Sequence, residues 1–388
     1  MAPESPLDID KGLAPYEGNM MGKRTMATAG LAVAAIVLAG CSSTSNTASS
    51  SSSAAGGGKI GVILPDAASS PRWESTDRPN LEKAITAAGF EPVIQNATKS
   101  VDKFSQICDS LINQGVKILM IVNLDSQSGA ACQKKALDAG IKNIDYDRLT
   151  LGGYADYYIA VDPVQVGVLM GNGLKKCLDD AGKKKANIVF INGDPTDNNA
   201  KLFKQGYAQA LKPAIDSGSY TLVGDQTGKW DATVAQTTFE QIFTQNNGKV
   251  DGVVSANDTM AGGIVTVLTN NKLAGKVPVT GQDASDPGLQ RVIVGTQCGT
   301  VLKDTAIQAK LAADVAVAVA KGDTTAADAL ATNTVDDSVG SRKVKSAFAA
   351  PEWITKENIK KPFDVNYTTV AKVCTPEFQA ACAAVGLK

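Results

Sequence analysis

The sequence predicts an α/β protein built from two doubly wound parallel-sheet domains. Three observations carry that expectation. Short β-branched runs alternate with stretches of helical spacing, the runs are apolar almost throughout, and ten of them are too many for one sheet with such connections.

The runs, in order, are KIGVILP from Lys59, PVIQNA from Pro92, VKILMIVNL from Val116, IKNIDYD from Ile141 and DYYIAVD from Asp156. They continue with ANIVFING from Ala186, YTLVGDQ from Tyr220, KVDGVVSAND from Lys249, VPVTGQD from Val277 and GTVLKD from Gly299. Strands buried on both faces read this way, without the polar alternation of a half-exposed sheet. Most are separated by 10 to 20 residues with apolar positions at helical spacing, as at Phe203, Tyr207, Ala210 and Ala214.

Polar residues gather where these strands end. Asp66 follows VILP; Asp145, Asp147 and Arg148 end the run from Ile141; Asp194, Asp197 and Asn199 follow VFING. Asn257 and Asp258 follow VVSA, and Gln282 and Asp283 follow VPVTG. Ligands of open α/β sheets bind outside the carboxyl ends of the strands, so repeated polarity there predicts a rim, and two facing lobes turn a rim into a cleft. Before the helix that starts near Asn199, one neighbour, Asn198, is expected to cap while Asp197 and Asn199 face the ligand. Trp73 beside Arg72, and Trp230 in GKWD, lie in loops next to this chemistry, whereas Trp353 reads as packing. Carboxylates, amides and guanidinium forks bind hydroxyls, and indole faces stack on C–H patches; together they suit a sugar.

Composition removes several other functions. The 388 residues include no histidine, which excludes Ser/His/Asp triads, Cys/His dyads and histidine zinc sites. Lysine plus arginine number 38 and aspartate plus glutamate 39, so no charge excess points to nucleic acid. The G-x-G-x-x-G match from Gly56 to Gly61 precedes a strand instead of following one, and there is no phosphate-loop motif. No metal or cofactor is expected.

The amino terminus reads as an address. Lys23 and Arg24 precede an apolar, alanine-rich stretch from Met26 to Leu38, too short to span a bilayer. Met20 or Met21 is where a signal of ordinary length would begin. Leu38-Ala39-Gly40-Cys41 resembles the bacterial lipobox, which implies cleavage before Cys41 and lipidation of its sulfur. Residues 42–58, SSTSNTASSSSSAAGGG, have almost nothing apolar and form a tether spanning roughly 23 Å. Residues 1–40 hold three of the basic and four of the acidic residues, leaving 35 of each in the mature chain. Six cysteines follow the lipobox, and an exported chain makes disulfides the expectation: of fifteen possible connectivities, Cys108 with Cys132 and Cys374 with Cys382 are the sequence-local guesses, and the sequence assigns no partner to Cys177 or Cys298.

The segments PRWESTDR from Pro71, YDR from Tyr146, DPTDNNAKLF from Asp194, SANDTMAGG from Ser255, GQDAS from Gly281 and GTQCGTVLK from Gly295 resemble the D-xylose-binding proteins of bacterial ABC sugar importers, a ribose/galactose-type branch of the periplasmic binding proteins. The resemblance runs from Lys59 to about Asp323. It implies the type I fold, two lobes joined by a three-strand hinge, with crossings near Asp162, near Asp283 to Lys303 and near residue 335. Residues 59–161 with 304–335 would then form the N-terminal lobe, and 162–303 with 336–388 the C-terminal lobe. It also implies that Arg72, Asp147, Arg148, Asp197, Asn199, Asn257, Asp283 and Lys303 hydrogen-bond the sugar while Trp73 and Trp230 sandwich its ring. Two departures stand out: the charge-poor AASSP before Arg72, and a longer tail from about Ser341 carrying Cys374 and Cys382.

The expected function is capture without chemistry. A monomer held outside the cell membrane by its lipid alone would bind a monosaccharide, D-xylose first, and deliver it to an ABC permease with a separate ATPase subunit. Glucose, galactose or arabinose are alternative cargoes, and a sugar-sensing role is a further one. A glycoside hydrolase using Asp147 and Asp283 is the enzymatic alternative. A sugar-responsive repressor would need a helix-turn-helix where the lipobox and tether stand.

Overall fold

The computed structural model describes residues 57–388; Cys41, its lipobox, the signal stretch and nearly all of the tether lie outside them. Thirteen strands follow in chain order among the described residues. β1 (Lys59–Leu64), β2 (Glu91–Asn96), β3 (Ile118–Ile121), β4 (Lys142–Tyr146) and β5 (Tyr157–Val161) come first. Next are β6 (Ala186–Asn192), β7 (Tyr220–Thr227), β8 (Gly252–Ser255), β9 (Thr280–Gln282) and β10 (Gly299–Leu302). β11 (Asn333–Asp337), β12 (Arg342–Ala349) and β13 (Glu352–Ile354) complete the set.

Each apolar run of the sequence overlaps one of the first ten strands, and their pairing with one another is parallel. The first lobe is a seven-stranded sheet in the order β11-β12-β5-β4-β3-β1-β2. The second lobe holds β7-β6-β8 and β13-β10-β9, joined edge to edge by a parallel bridge between Val253 and Val279. Helices cover both faces. One face of the first sheet packs Ile60, Val62 and Met120 against the alanine-rich helix Thr305–Ala320, and the other packs Ile63, Leu119 and Ile121 against Phe104 and Leu111. The second lobe closes around Phe190, Tyr207, Phe239 and Ile264. Period-two side-chain alternation explains why consecutive residues of β1 serve different faces of the sheet.

The chain passes between the sheets after Val161, after Leu302 and after Ala349. The last of these corrects the expected crossing near residue 335 and moves residues 336–349 out of the C-terminal lobe. β11 and β12 form an antiparallel hairpin, and β12 lies parallel to β5 from Lys345 beside Tyr157 to Ala349 beside Val161. Asp337 anchors it: its buried carboxylate accepts from the amides of Gly152, Val339 and Gly340, so the hairpin turn is tied to a first-lobe loop. NTVDD and RKVKS alternate polar with apolar residues and so form no apolar run.

The structure joins the cysteines as Cys108–Cys132, Cys177–Cys298 and Cys374–Cys382. The first ties two helices of the first lobe together, the second ties the helix Pro163–Asp180 to the start of β10, and the third closes a short loop in the tail. Trp353 packs on the second-lobe core, its ring filling the space beside Gly173 and Gly299, where a Cβ would fall 2.3 Å from it. No helix among the described residues is long and apolar enough to cross a membrane.

Candidate functional site

The carboxyl ends of the strands converge on a cleft between the lobes. The first lobe contributes Ser69, Ser70 and Trp73 from the loop after β1, and Asp147 and Arg148 from the end of β4. The second contributes Asp197, Asn199 and Phe203 after β6, Trp230 after β7, Asn257 after β8, and Gln282 and Asp283 after β9. Lys303 sits where the chain crosses after β10. The enclosed space between them is small, about 20 Å³.

All ten residues expected at the site are buried, none more than 7 % exposed, and nine line this cleft. Arg72 is the tenth, and it stands behind the wall. Its guanidinium makes a two-pronged bond to Asp77 (2.7 and 2.7 Å), donates to Asp147 Oδ2 at 3.0 Å, and lies with Cζ 4.4 Å from the Trp73 ring centroid. Tyr146 completes the group, donating to Asp77 at 2.8 Å. Arg72 therefore fixes Asp147 and backs Trp73.

Several cleft positions owe their geometry to helix caps. Asp197 Oδ1 accepts from the Asn199 amide at 2.8 Å as the N-cap of the helix Asn198–Asp216, and Asn257 Oδ1 accepts from the Met260 amide at 3.0 Å. Asp197 is thus the cap that was expected at Asn198. One oxygen caps while the other, Oδ2, meets Trp230 Nε1 at 3.1 Å and Arg148 Nε at 3.0 Å. Capping and cleft roles share a single side chain.

The walls touch across the cleft. Arg148 and Asp197 form an ion pair, Asn199 donates to the Asp147 backbone carbonyl at 3.0 Å and to its carboxylate at 3.1 Å, and Asn257 donates to the Ser69 carbonyl at 2.8 Å. Lys303 Nζ stands 3.0 Å from Asp283 Oδ1 and 3.8 Å from Asp147 Oδ2. Despite that proximity the lysine lies outside hydrogen-bond geometry to Asp283 Oδ1. That atom, Asn199 Oδ1 and Gln282 Oε1 are buried acceptors without a donor. Leaving such atoms unpaired is costly, so their clustering at one place needs a cause.

Backbone strain gathers here too. Asp147 (φ 66°), Trp230 (φ 56°) and Asp283 (φ 96°) all lie in the left-handed region, which costs a non-glycine residue on the order of 1–3 kcal/mol. Gly193 supports Trp230 by having no side chain: a Cβ there would fall 2.0 Å from the indole.

Electrostatics separates the carboxylates. Burial alone would raise Asp147, but Lys303, Arg72 and Arg148 around it hold its carboxyl well below the usual range. Burial raises Asp197 and Asp77, although Arg148 and Arg72 respectively oppose the shift. An ion-paired Asp147 cannot supply a proton near neutral pH, which is the task of a glycosidase acid.

Four residues of the expected rim do other work. Asp145 is buried behind the site, accepting from Thr150 and Gln133, and Asp258 is buried between Gln297, Thr300 and Ser285. Asp66 and Asp194 close turns at the mouth, accepting from Ser69 and Thr196. In the other direction, the ligand set read from sequence omitted Ser69, Ser70, Phe203 and Gln282, and the supporting residue Asp77. Gln282 and Asp77 lie inside the motifs GQDAS and PRWESTDR, and Phe203 has the spacing of the apolar face of its helix.

A family model described as "Periplasmic binding protein domain" matches residues 60–324. The chain is 35% identical over 303 residues to the D-xylose-binding periplasmic protein of Escherichia coli, covering 78% of this chain and 88% of that one. It is 34% identical over 318 residues, with the same coverage, to the multiple sugar-binding periplasmic receptor ChvE of Rhizobium radiobacter. A solved ABC transporter solute-binding protein from Clostridium phytofermentans, with bound β-D-glucose, superposes with a TM-score of 0.73 at 27% identity, over 81% of this chain and 99% of that one. These relatives are transport binding proteins and not enzymes. With two parallel-sheet lobes, a cleft at their strand ends and this match over most of its length, the chain belongs to the periplasmic binding protein family, type I fold.

Proposed function

We propose that the chain captures an aldose in the interlobe cleft, D-xylose first, and delivers it to an ABC permease whose separate ATPase subunit drives import. The observation that carries this reading is a set of buried acceptors, Asn199 Oδ1 and Gln282 Oε1 without a donor and Asp283 Oδ1 with only the Lys303 ammonium beside it, in a cleft bordered by Trp73, Trp230 and Phe203. Sugar hydroxyls are donors of the kind these acceptors lack, and indole faces take the ring's C–H side. Arg148, Lys303 and Asn257 supply donors in return.

Capture follows from two-sided contact. A ring that bonds Asp147 and Arg148 on one lobe and Asp197, Asn199 and Asp283 on the other stabilises the closed arrangement by its differential affinity for it. Micromolar affinity corresponds to roughly −8 kcal/mol, within reach of several charge-assisted hydrogen bonds and a stacked ring. Support for xylose as cargo is the 35% identity to a D-xylose-binding protein; the glucose-bound structural neighbour makes glucose the alternative. Lipidation at Cys41 would hold the monomer against the outer face of the cell membrane, within reach of its permease.

Isothermal titration with D-xylose, D-glucose, D-galactose and L-arabinose tests the reading. One-to-one binding of an aldose that is lost in Asn199→Ala is expected; absence of heat with all four overturns it. A radiolabelled palmitate incorporation assay in a bacterial host, comparing the chain with Cys41→Ala, checks the anchor.

A further inference from the structure

The tail after β13 folds against the helix Asp286–Val294 of the second lobe, burying Val373, Cys382 and Leu387 with Leu289, Val292 and Ile293. Two hydrogen bonds reach from it toward the cleft. Tyr367 Oη donates to the backbone carbonyl of Asp283 at 2.6 Å, and Thr368 Oγ1 donates to Asp286 Oδ1 at 2.5 Å. A third, from Gln290 Nε2 to the Val373 carbonyl at 3.0 Å, fixes the tail to the same helix.

The turn that Tyr367 contacts is strained over two residues, Asp283 at φ 96° and Ala284 at φ 47°. Relaxing Ala284 requires rotating the peptide unit between them, which consists of the Asp283 carbonyl and the Ala284 amide. The amide is held by Thr300 Oγ1 at 3.1 Å, and the Asp283 amide is held by the Val301 carbonyl at 2.9 Å. The carbonyl is held by Tyr367. Two restraints therefore come from β10 and its start, and the third comes from a segment about 80 residues further along the chain. Beyond the turn, Tyr367 borders a small cavity shared with Arg72 and Thr76 of the first lobe, so it stands where the two lobes and the tail meet.

We propose that Tyr367 is a positioning residue for cargo capture: by holding the Asp283 carbonyl it keeps the strained turn that aims the Asp283 carboxylate into the cleft, and so the tail contributes to affinity. The proposal rests on the capture reading above. It adds a residue that lies outside the cleft lining and outside the sequence motifs.

The test is Tyr367→Phe in the full chain, which removes one hydroxyl and keeps the ring. Titration with D-xylose should show about tenfold weaker binding, the upper range for one hydrogen bond, with an unfolding midpoint lowered by no more than a few degrees. The same substitution made in Asp283→Asn should weaken the residual binding by less than about twofold, because the group being positioned has been altered. Equal losses in both backgrounds, or no loss in either, overturn the proposal. Hydrogen–deuterium exchange across residues 280–285 of the sugar-free protein gives a second readout: faster exchange in Tyr367→Phe is expected, and unchanged exchange overturns the positioning role. If the parent chain binds no aldose, the capture reading fails, while the exchange result still decides whether Tyr367 holds the turn.

Discussion

Asp147 and Asp145 stand two residues apart at the end of one strand, both buried, and they behave in opposite ways. Asp147 is surrounded by Lys303, Arg72 and Arg148, which outweigh its burial and keep it ionised. Asp145 receives hydrogen bonds from Thr150 and Gln133, neutral groups that do not offset burial, and its pKa is pushed up to about 7. Asp258 in the other lobe is likewise raised by burial, to about 6, although Arg291 opposes the shift. The difference lies in the charge of the neighbours and not in burial or position along the strand. A carboxylate kept charged at the cleft can accept hydroxyl donors; one kept near neutrality behind it organises the backbone.

The sharpest way to break the comparison is to remove each carboxylate. Asp147→Ala leaves buried cations without their shared anion, so it should cost about 3–5 kcal/mol of stability and abolish sugar binding. Asp145→Ala should cost about 1–3 kcal/mol from unpaired hydrogen-bond groups, while the folded fraction binds sugar within roughly threefold of the parent. Urea unfolding and titration calorimetry on the two variants read both effects. Comparable loss of affinity in both variants would erase the distinction.

A smaller effect is expected from Gly193→Ala, which touches no ligand group directly. Its new Cβ would meet the Trp230 indole and push it from Asp197, weakening affinity on the order of tenfold with a modest loss of stability. Titration beside Trp230→Ala checks this; full affinity in Gly193→Ala would show that Trp230 is not a cleft wall.

A further effect is in pH dependence, and its sign differs between the two aspartates. The folded pKa of Asp145, about 7, lies above its ordinary value, so its contribution to stability is complete below about pH 4 and is lost as pH rises through about 7. Asp258 adds a loss in the same direction near pH 6. Asp147, depressed in the folded chain, contributes above about pH 4 and loses its contribution as pH falls below that. The unfolding midpoint should therefore decline from pH 5 to pH 8, and Asp145→Asn should flatten part of the decline. A midpoint that climbs over this range would contradict the assignment.

Much of this was legible in the sequence because parallel strands announce themselves. Each of the first ten strands matches an apolar run to within a few residues, and the cleft residues stand at their ends. Three things were not legible. β11 and β12 alternate polar and apolar residues, and the hairpin is placed by Asp337 reaching Gly152, a contact across 185 positions. Asp145 and Asp147 are the same residue type in the same motif, and their roles separate through Arg72 and Lys303, which arrive from distant segments. Asp197 serves as cap and cleft group at once, whereas sequence reasoning assigned those jobs to different residues. Local pattern reports elements; side-chain partners come from the fold.

The most direct measurement is a crystal structure of the chain grown with D-xylose. One sugar ring is expected between Trp73 and Trp230, with hydroxyls on Asp147, Asp197, Asn199 and Asp283, and with Asp145 and Asp258 still bonded to Thr150 and Thr300. A sugar bound elsewhere, or one contacting Asp145 or Asp258 in place of Asp147 and Asp283, would contradict it.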